Sequence, residues 1–574
     1  MRVPHSAGAD RVWLRTVLDG EPRYVEARAD RADEHERWWR VSLRVQNPDS
    51  RYRFAVAGGP NGYRWLNAAG LFDHDVPDVD DFRLVTYVPP PAWLAGSVAY
   101  QVFPDRFASS GAERHWPSWA RVVGWDEPVA VRHPSRQVYG GDLAGLEARL
   151  DHVERLGANL LYLTPFFPSQ SSHRYDAATF DHVDPLLGGD DALSSLVAAA
   201  HRRGIRVLGD LTVNHSGVTH QWFQAAQADP CSPEAGYYLF RAHPDDYEAW
   251  LGVRSLPKFD LRHPELRRRL VDGPDSVVAR FLSPPFSLDG WRVDVANMAG
   301  RLGDVDVNAD VARTMRTTMA LVRPDAYLVA EHFHDAHAEL AGDGWHGTMY
   351  YAGFADPVWR WLADGDTDRL RVGKPMGLRP MGGRHVARTF QAFAAAMPWR
   401  SLAASLALLD SHDTPRFRTI AGSAERALAG FGLLLAWPGV PMLFAGDEVG
   451  VEGVSSDDGR RPFPWDERRW DHGLFGALQR LVAVRRASPA LQRGGLRWLH
   501  AGDDVLVLLR ESLDERVLVQ VSRADHDPVQ LPAGPLLHGG SAHLLYGDGD
   551  MSVVAGSCTL PPGGPAVRLW RLAP

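Results

Sequence analysis

The sequence predicts a multidomain fold: a (β/α)8 TIM barrel with a short inserted subdomain, flanked by an N-terminal and a C-terminal β-sandwich. Three observations predict it. Strand-like and helix-like patterns alternate over roughly 390 residues, the rhythm of βα units closing a parallel sheet. Short strand-like runs separated by turn residues precede and follow that stretch. Pro89-Pro90-Pro91 and Ser488-Pro489 mark the two changes of rhythm, so the units are placed at 1–88, 89–489 and 490–574.

Taken in order, residues 11–17, 38–45, 51–57 and 82–88 read as strands of the first sandwich. The apolar run 97–103 opens the barrel. Leu143, Leu146, Leu150 and Val153 then recur at helical spacing, 159–163 is a second strand, 192–203 a helix and 206–210 a third strand. An insertion at about 215–260 follows and is expected to protrude as a small subdomain. Runs at 290–295, 327–330, 405–409 and 441–444 supply the fourth, fifth, seventh and eighth strands, leaving the sixth unplaced. Past residue 489 the pattern is read as alternation, as in 505–509 and 516–521, which predicts the closing sandwich.

Composition narrows the function classes. With 45% hydrophobic and 23% charged residues, the chain of 574 is an ordinary globular one. No stretch approaches the ~20 apolar residues of a membrane span. The first residues lack the apolar core of a signal peptide, so a cytoplasmic location is expected. Cys231 and Cys558 are too few for a disulfide framework. A net charge of −9 disfavours nucleic acid and anionic membranes as partners. Two lysines, Lys258 and Lys374, stand against 60 arginines that do not cluster. The 20 tryptophans serve core packing or, as a group, sugar faces.

The active site of a TIM barrel lies at the C-terminal ends of its strands. There the sequence places Asp210, Asn214 and His215 after the third strand, Arg292 and Asp294 on the fourth, Glu331 on the fifth, and Asp410, His412 and Asp413 on the seventh. Charges at successive strand ends are costly unless function requires them. A nucleophilic carboxylate facing a protonated acid is the equipment of a retaining glycosidase. Asp294 suits the nucleophile, kept ionised by Arg292 two residues earlier on the same strand face. Glu331 suits the acid/base, its pKa raised by burial and by neighbouring anions. Asp413 would stabilise the sugar's positive charge, and His215 and His412 would donate to its hydroxyls. No third ligand at zinc spacing accompanies the histidines, so no metal is assigned.

The segments DLTVNH, LPKFD, GWRVDVANM, VAEHFH and LLDSHD, in that order, resemble the α-amylase superfamily, glycoside hydrolase family 13. Tyr100–Phe107, His173-Arg174-Tyr175-Asp176 and Leu256–Asp260 resemble its cyclomaltodextrinase, neopullulanase and maltogenic amylase branch. Tyr63–Asn67 resembles that branch's starch-binding-like N-terminal domain. The resemblance implies Asp294 as nucleophile, Glu331 as acid/base and Asp413 as transition-state stabiliser. It implies substrate contacts from His173, Tyr175, Asp176, His215, Arg292, His332 and His412, with Arg416 and Arg460 toward neighbouring subsites and Asp210 as a brace. It also implies a homodimer formed through the N-terminal domain, with Trp38, Trp39 and Trp65 as anchors of the interface or of the sandwich core.

Three departures stand out. Met298 replaces the branch's usual Glu, and His332 and Phe333 replace a small apolar residue and Trp. The loop Ala108–Gly111 lacks the Asp and Asn that bind calcium in several relatives, so no cofactor is expected and calcium is not required by the sequence. The reading is therefore a cytoplasmic retaining hydrolase of short linear or cyclic α-glucans, with α-1,4 and potentially α-1,6 links. Its alternatives are a maltodextrin glucosidase or transglycosylase on the same scaffold, and, more remotely, a non-catalytic carbohydrate-binding scaffold. Loss of either catalytic carboxylate would signal the last, and both are present.

Overall fold

The computed structural model describes residues 1–58, 62–365, 377–537 and 540–573; Lys374 falls outside them. Eight parallel strands close a barrel: β1 (Ala99–Val102), β2 (Leu160–Leu163), β3 (Arg206–Thr212), β4 (Gly290–Asp294), β5 (Tyr327–His332), β6 (Gly347–Tyr350), β7 (Leu406–Leu408) and β8 (Val440–Phe444). Closure is made by Ala99, Tyr100 and Gln101 opposite Met442, Leu443 and Phe444. The missing strand is β6, hidden because Gly347 and Thr348 interrupt its apolar character.

Two apolar clusters follow from strand alternation. Leu160, Tyr162, Leu208, Val329, Met349, Leu406 and Met442 fill the barrel's interior. Leu161, Leu163, Val207, Val293, Leu328 and Leu443 point outward, into the layer shared with the helices. Gly290 opens β4 because a Cβ there would lie 2.0 Å from the Tyr327 carbonyl oxygen. A side chain would thus prevent the register that sets Arg292 beside Val329. The insertion after β3 holds a helix (Gln221–Ala228), a small hairpin and a turn at Trp250–Gly252. It returns to the barrel through a bridge between His215 and Lys258.

Both flanking units are pairs of sheets. The N-terminal one has a six-stranded and a three-stranded sheet around Val3, Val12, Ala27, Trp39 and Val56. The strand expected at 38–45 runs instead over Glu36–Arg40, and strands at Glu21–Glu26, Arg28–Ala32, Tyr63–Asn67 and Gly70–Phe72 join those expected. Glu21–Glu26 and Arg28–Ala32 are exposed and charged and so carry little apolar signal. The C-terminal unit has a five-stranded and a three-stranded sheet. Here the expected alternation fails: Val505–Glu511 and Arg516–Ser522 are buried almost throughout. Val507, Leu509 and Leu518 face the smaller sheet, whereas Leu506, Leu508, Val517 and Val519 face the barrel's helical layer. A sheet covered on both faces needs apolar residues on both.

Residues 1–88 lie on their own chain. Arg2 donates to Glu511 at 2.8 and 3.0 Å, Gln391 donates to the Ala69 carbonyl at 2.5 Å, and Arg400 to the Tyr87 carbonyl at 2.6 Å. The tryptophans follow the packing reading: Trp291, Trp345, Trp359, Trp361, Trp437 and Trp570 are fully buried, and Trp39 and Trp65 are core residues of the N-terminal unit. Trp38 lies under the guanidinium groups of Arg2 and Arg31. Among the described residues no helix is long and apolar enough to cross a membrane.

Candidate active site

Arg292 organises the strand ends. Fully buried on β4, it donates through Nη1 to Asp210 at 2.9 and 3.0 Å and to Asp294 at 3.0 Å. Its Nη2 lies 2.8 Å from Glu331 and 3.9 Å from Asp413. One cation thus faces four carboxyl groups, and among the described residues only Asp413 has a second guanidinium, Arg460, at 3.2 Å.

The carboxyl groups are consequently pushed apart in acidity. Burial, then repulsion from Glu331, raises Asp294 well above the usual range despite Arg292. Burial, partly offset by Arg292 and reinforced by Asp413, raises Glu331 to about 7. The two carboxyl groups repel each other, so their proton affinities belong to the pair rather than to either residue. Burial also acts on Asp413, but His412, Arg460 and Arg292 outweigh it and hold this carboxyl below its ordinary value. Glu331 Oε2 accepts the Val295 N–H at 2.7 Å, a bond that favours the ionised form and offsets part of the rise at Glu331. Val295, directly after Asp294, has φ +45°, a left-handed conformation that costs a β-branched residue on the order of 1–3 kcal/mol.

Neutral imidazoles line the other side. Burial lowers His173, His215 and His412 to about 3 each. The Gln101 amide oxygen accepts the His412 backbone N–H at 3.1 Å, so the amide nitrogen faces His412 Nδ1 at 3.0 Å. That leaves the proton on Nε2, which donates to the Tyr175 hydroxyl at 2.5 Å and lies 3.2 Å from Asp413. Tyr175 stacks on His412 with ring centroids 5.4 Å apart and donates to Asp210 at 2.9 Å. His173 Nδ1 accepts the Tyr175 backbone N–H at 3.1 Å, and the two rings lie 5.9 Å apart. His215 Nε2 lies 3.9 Å from Asp294, and the half-buried Trp250 of the insertion sits 6.2 Å from the His215 ring.

Three residues expected to touch substrate are held by the protein itself. Arg416 is buried and donates to the Gly459, Phe444 and Ala445 carbonyls and to Asp447, as a loop brace would. Asp176 accepts from the Ser171 hydroxyl and the Gln170 N–H and so closes its own loop. His332 sits on the strand face opposite Glu331, with Nδ1 3.0 Å from the Thr348 hydroxyl and its ring against His334. Strand parity could have shown this.

Other participants escaped the sequence reading. Gln101 orients His412. Tyr162 donates to Asp210 at 2.7 Å. Tyr351 follows the unplaced β6, stacks on Phe333 at 4.2 Å and shares a hydrogen bond with Ser411 at 2.6 Å. Among the described residues no group of three or more His, Cys, Asp or Glu is arranged to hold a metal ion.

Comparison with known proteins agrees with this arrangement. The family model "Alpha amylase, catalytic domain" matches residues 101–487. A cyclomaltodextrinase of Geobacillus thermopakistaniensis is 29% identical over 557 residues, covering 93% of this chain and 88% of its own. Neopullulanase 2 of Thermoactinomyces vulgaris is 33% identical over 72% of this chain and 66% of its own. The solved cyclic α-maltosyl-(1→6)-maltose hydrolase of Arthrobacter globiformis superposes with a TM-score of 0.70 at 29% identity, over 84% of this chain and all of its own. With its barrel matched and the carboxyl groups of Asp294, Glu331 and Asp413 gathered around Arg292, the chain belongs to the α-amylase family of glycoside hydrolases.

Proposed function

We propose that the protein hydrolyses short linear or cyclic maltooligosaccharides with retention of anomeric configuration, cleaving α-1,4 and also α-1,6 links. The observation that carries this reading is the meeting of Asp294 and Glu331 on one buried guanidinium, Arg292. Asp294 attacks the anomeric carbon while Glu331 gives its proton to the glycosidic oxygen, so the sugar becomes an ester of Asp294 and the leaving group departs as an alcohol. Glu331 then takes a proton from water, which displaces Asp294 and restores the α configuration. Asp413 faces the positive charge that develops between these steps. Tyr175 offers an aromatic face, and the Nε2–H groups of the histidines offer donors to hydroxyls. The names of the relatives, which span cyclic dextrins, pullulan and a mixed-linkage cyclic tetrasaccharide, support short or cyclic substrates.

The proposal extends to a cytoplasmic homodimer joined through residues 1–88, in keeping with the exposed Tyr24 and Tyr63 on that unit. Calcium is not needed in it, since Asp142, whose carboxylate reaches the Ala108–Gly111 loop, is already paired with Arg114 and Ser110. Product analysis on β-cyclodextrin, pullulan, starch, maltotriose and cyclic tetrasaccharides carrying α-1,6 links tests the reading. Release of maltose and glucose as α-anomers is expected; no cleavage of any of the five, or an initial β-anomer, overturns it.

A further inference from the structure

Lys258 belongs to the LPKFD segment that the catalytic scheme leaves unused, and it is one of only two lysines in the chain. It is 2% exposed. Its backbone N–H is bound by the Glu248 carbonyl, and its ammonium reaches across from the insertion to two barrel loops. It donates to the side-chain oxygen of Asn214, after β3, and at 2.8 Å to the backbone carbonyl of Met298, after β4.

Each bond begins a path to a catalytic carboxyl. An ammonium can only donate, so the Asn214 oxygen must face it and the Asn214 NH2 must face the other way. That NH2 lies 3.2 Å from His215 Nδ1. Nδ1 is therefore the acceptor, the proton sits on Nε2, and Nε2 is the atom turned toward Asp294. On the second path, the Met298 N–H binds the Val295 carbonyl at 2.9 Å, and the Val295 N–H holds Glu331 at 2.7 Å. The left-handed Val295 is thus secured from both ends of its turn.

We infer that Lys258 is a positioning residue for both halves of the catalytic pair: its ammonium selects the His215 tautomer that faces Asp294 and fixes the turn that orients Glu331. The inference rests on the functional reading above for its kinetic consequence, though not for the tautomer. Burial lowers the ammonium to about 8, with Glu248 opposing. The charged groups around it are His215, then Glu248 with its partner Arg241, and, lining the cavity on its outer side, Asp260, Arg262 and Arg301. Above pH 8 the neutral amine no longer dictates the Asn214 amide, and both paths relax.

15N NMR of imidazole-labelled protein reads the tautomer directly, with His215→Gln identifying the signal. The wild type is expected as the Nε2–H form at pH 7, changing toward a mixture as pH rises through about 8. Lys258→Met, similar in shape but neutral, is expected as a mixture at both values. Its kcat on maltotriose should fall at least about tenfold with KM changed less than about threefold, and Lys258→Arg should recover part of the loss. The wild-type kcat/KM should fall with rising pH first as Glu331 ionises and more steeply near 8, the second step being absent in Lys258→Met. A wild type whose His215 carries its proton on Nδ1 at pH 7 overturns the inference without any variant. So does a folded Lys258→Met that keeps both tautomer and pH profile. A wild type that cleaves no α-glucan defeats the functional reading alone.

Discussion

Arg292, itself fully buried, meets Asp210, Asp294, Glu331 and Asp413 at the floor of the cleft, so the charge balance there depends on a proton as much as on side chains. Asp294→Asn removes the attacking group, and kcat is expected to fall by about four orders of magnitude or more in steady-state assays. Glu331 must be protonated to act, so kcat/KM should decline as pH rises through about 7. The same shift has a stability consequence of definite sign. A carboxyl raised from 4.5 to about 7 by burial favours the fold only while it carries its proton, and that contribution is lost as pH climbs through that window. Glu331→Gln should therefore melt about 2–4 °C higher than wild type at pH 8, with the gap closing below pH 4.5, while hydrolysis is abolished. A variant that melts lower at pH 8 would show that the ion pair with Arg292 outweighs the buried charge.

At the scale of elements, two arginines of the same neighbourhood separate structure from function. Arg416 ties the loop after β8 to the segment at Gly459 with four hydrogen bonds, so Arg416→Ala should cost roughly 3–5 kcal/mol in denaturant unfolding. Arg460 spans the His412 carbonyl at 2.6 Å and the Asp413 carboxylate at the cleft, so Arg460→Ala should change stability little and lower kcat/KM about tenfold or more. Their identical side chains hid this difference. The strand ends themselves could be read because each polar residue of β3, β4, β5 and β7 follows an apolar run. What that reading lacked was direction: His332 follows Glu331 and so points away from it. Interrupted by Gly347 and Thr348, β6 carried no such signal, and Tyr351 was lost with it. Val505–Glu511 misled in the opposite sense, since a continuous apolar run describes a sheet covered on both faces.

For the whole molecule, the N-terminal unit decides what enters the cleft if the proposed dimer forms. Light scattering should give twice the chain mass, and kcat/KM for a short or cyclic oligosaccharide should exceed that for soluble starch by at least about tenfold, ~1.4 kcal/mol in the barrier. A monomer that digests starch as readily as maltotriose would remove the size argument. Exhaustive chelation should leave both melting temperature and activity nearly unchanged, because the carboxylate at the Ala108–Gly111 loop is already neutralised by Arg114. The closure of β1 onto β8 carries a further consequence, for synthesis. Ala99 leaves the ribosome long before Met442, its partner across the seam. At ~5–20 residues per second, the edge of β1 stays open for roughly 17–70 s. Glu511, which anchors Arg2, emerges later still. The nascent chain therefore spends that interval as an unclosed sheet, and occupation of this edge by cellular chaperones would set the yield of the enzyme.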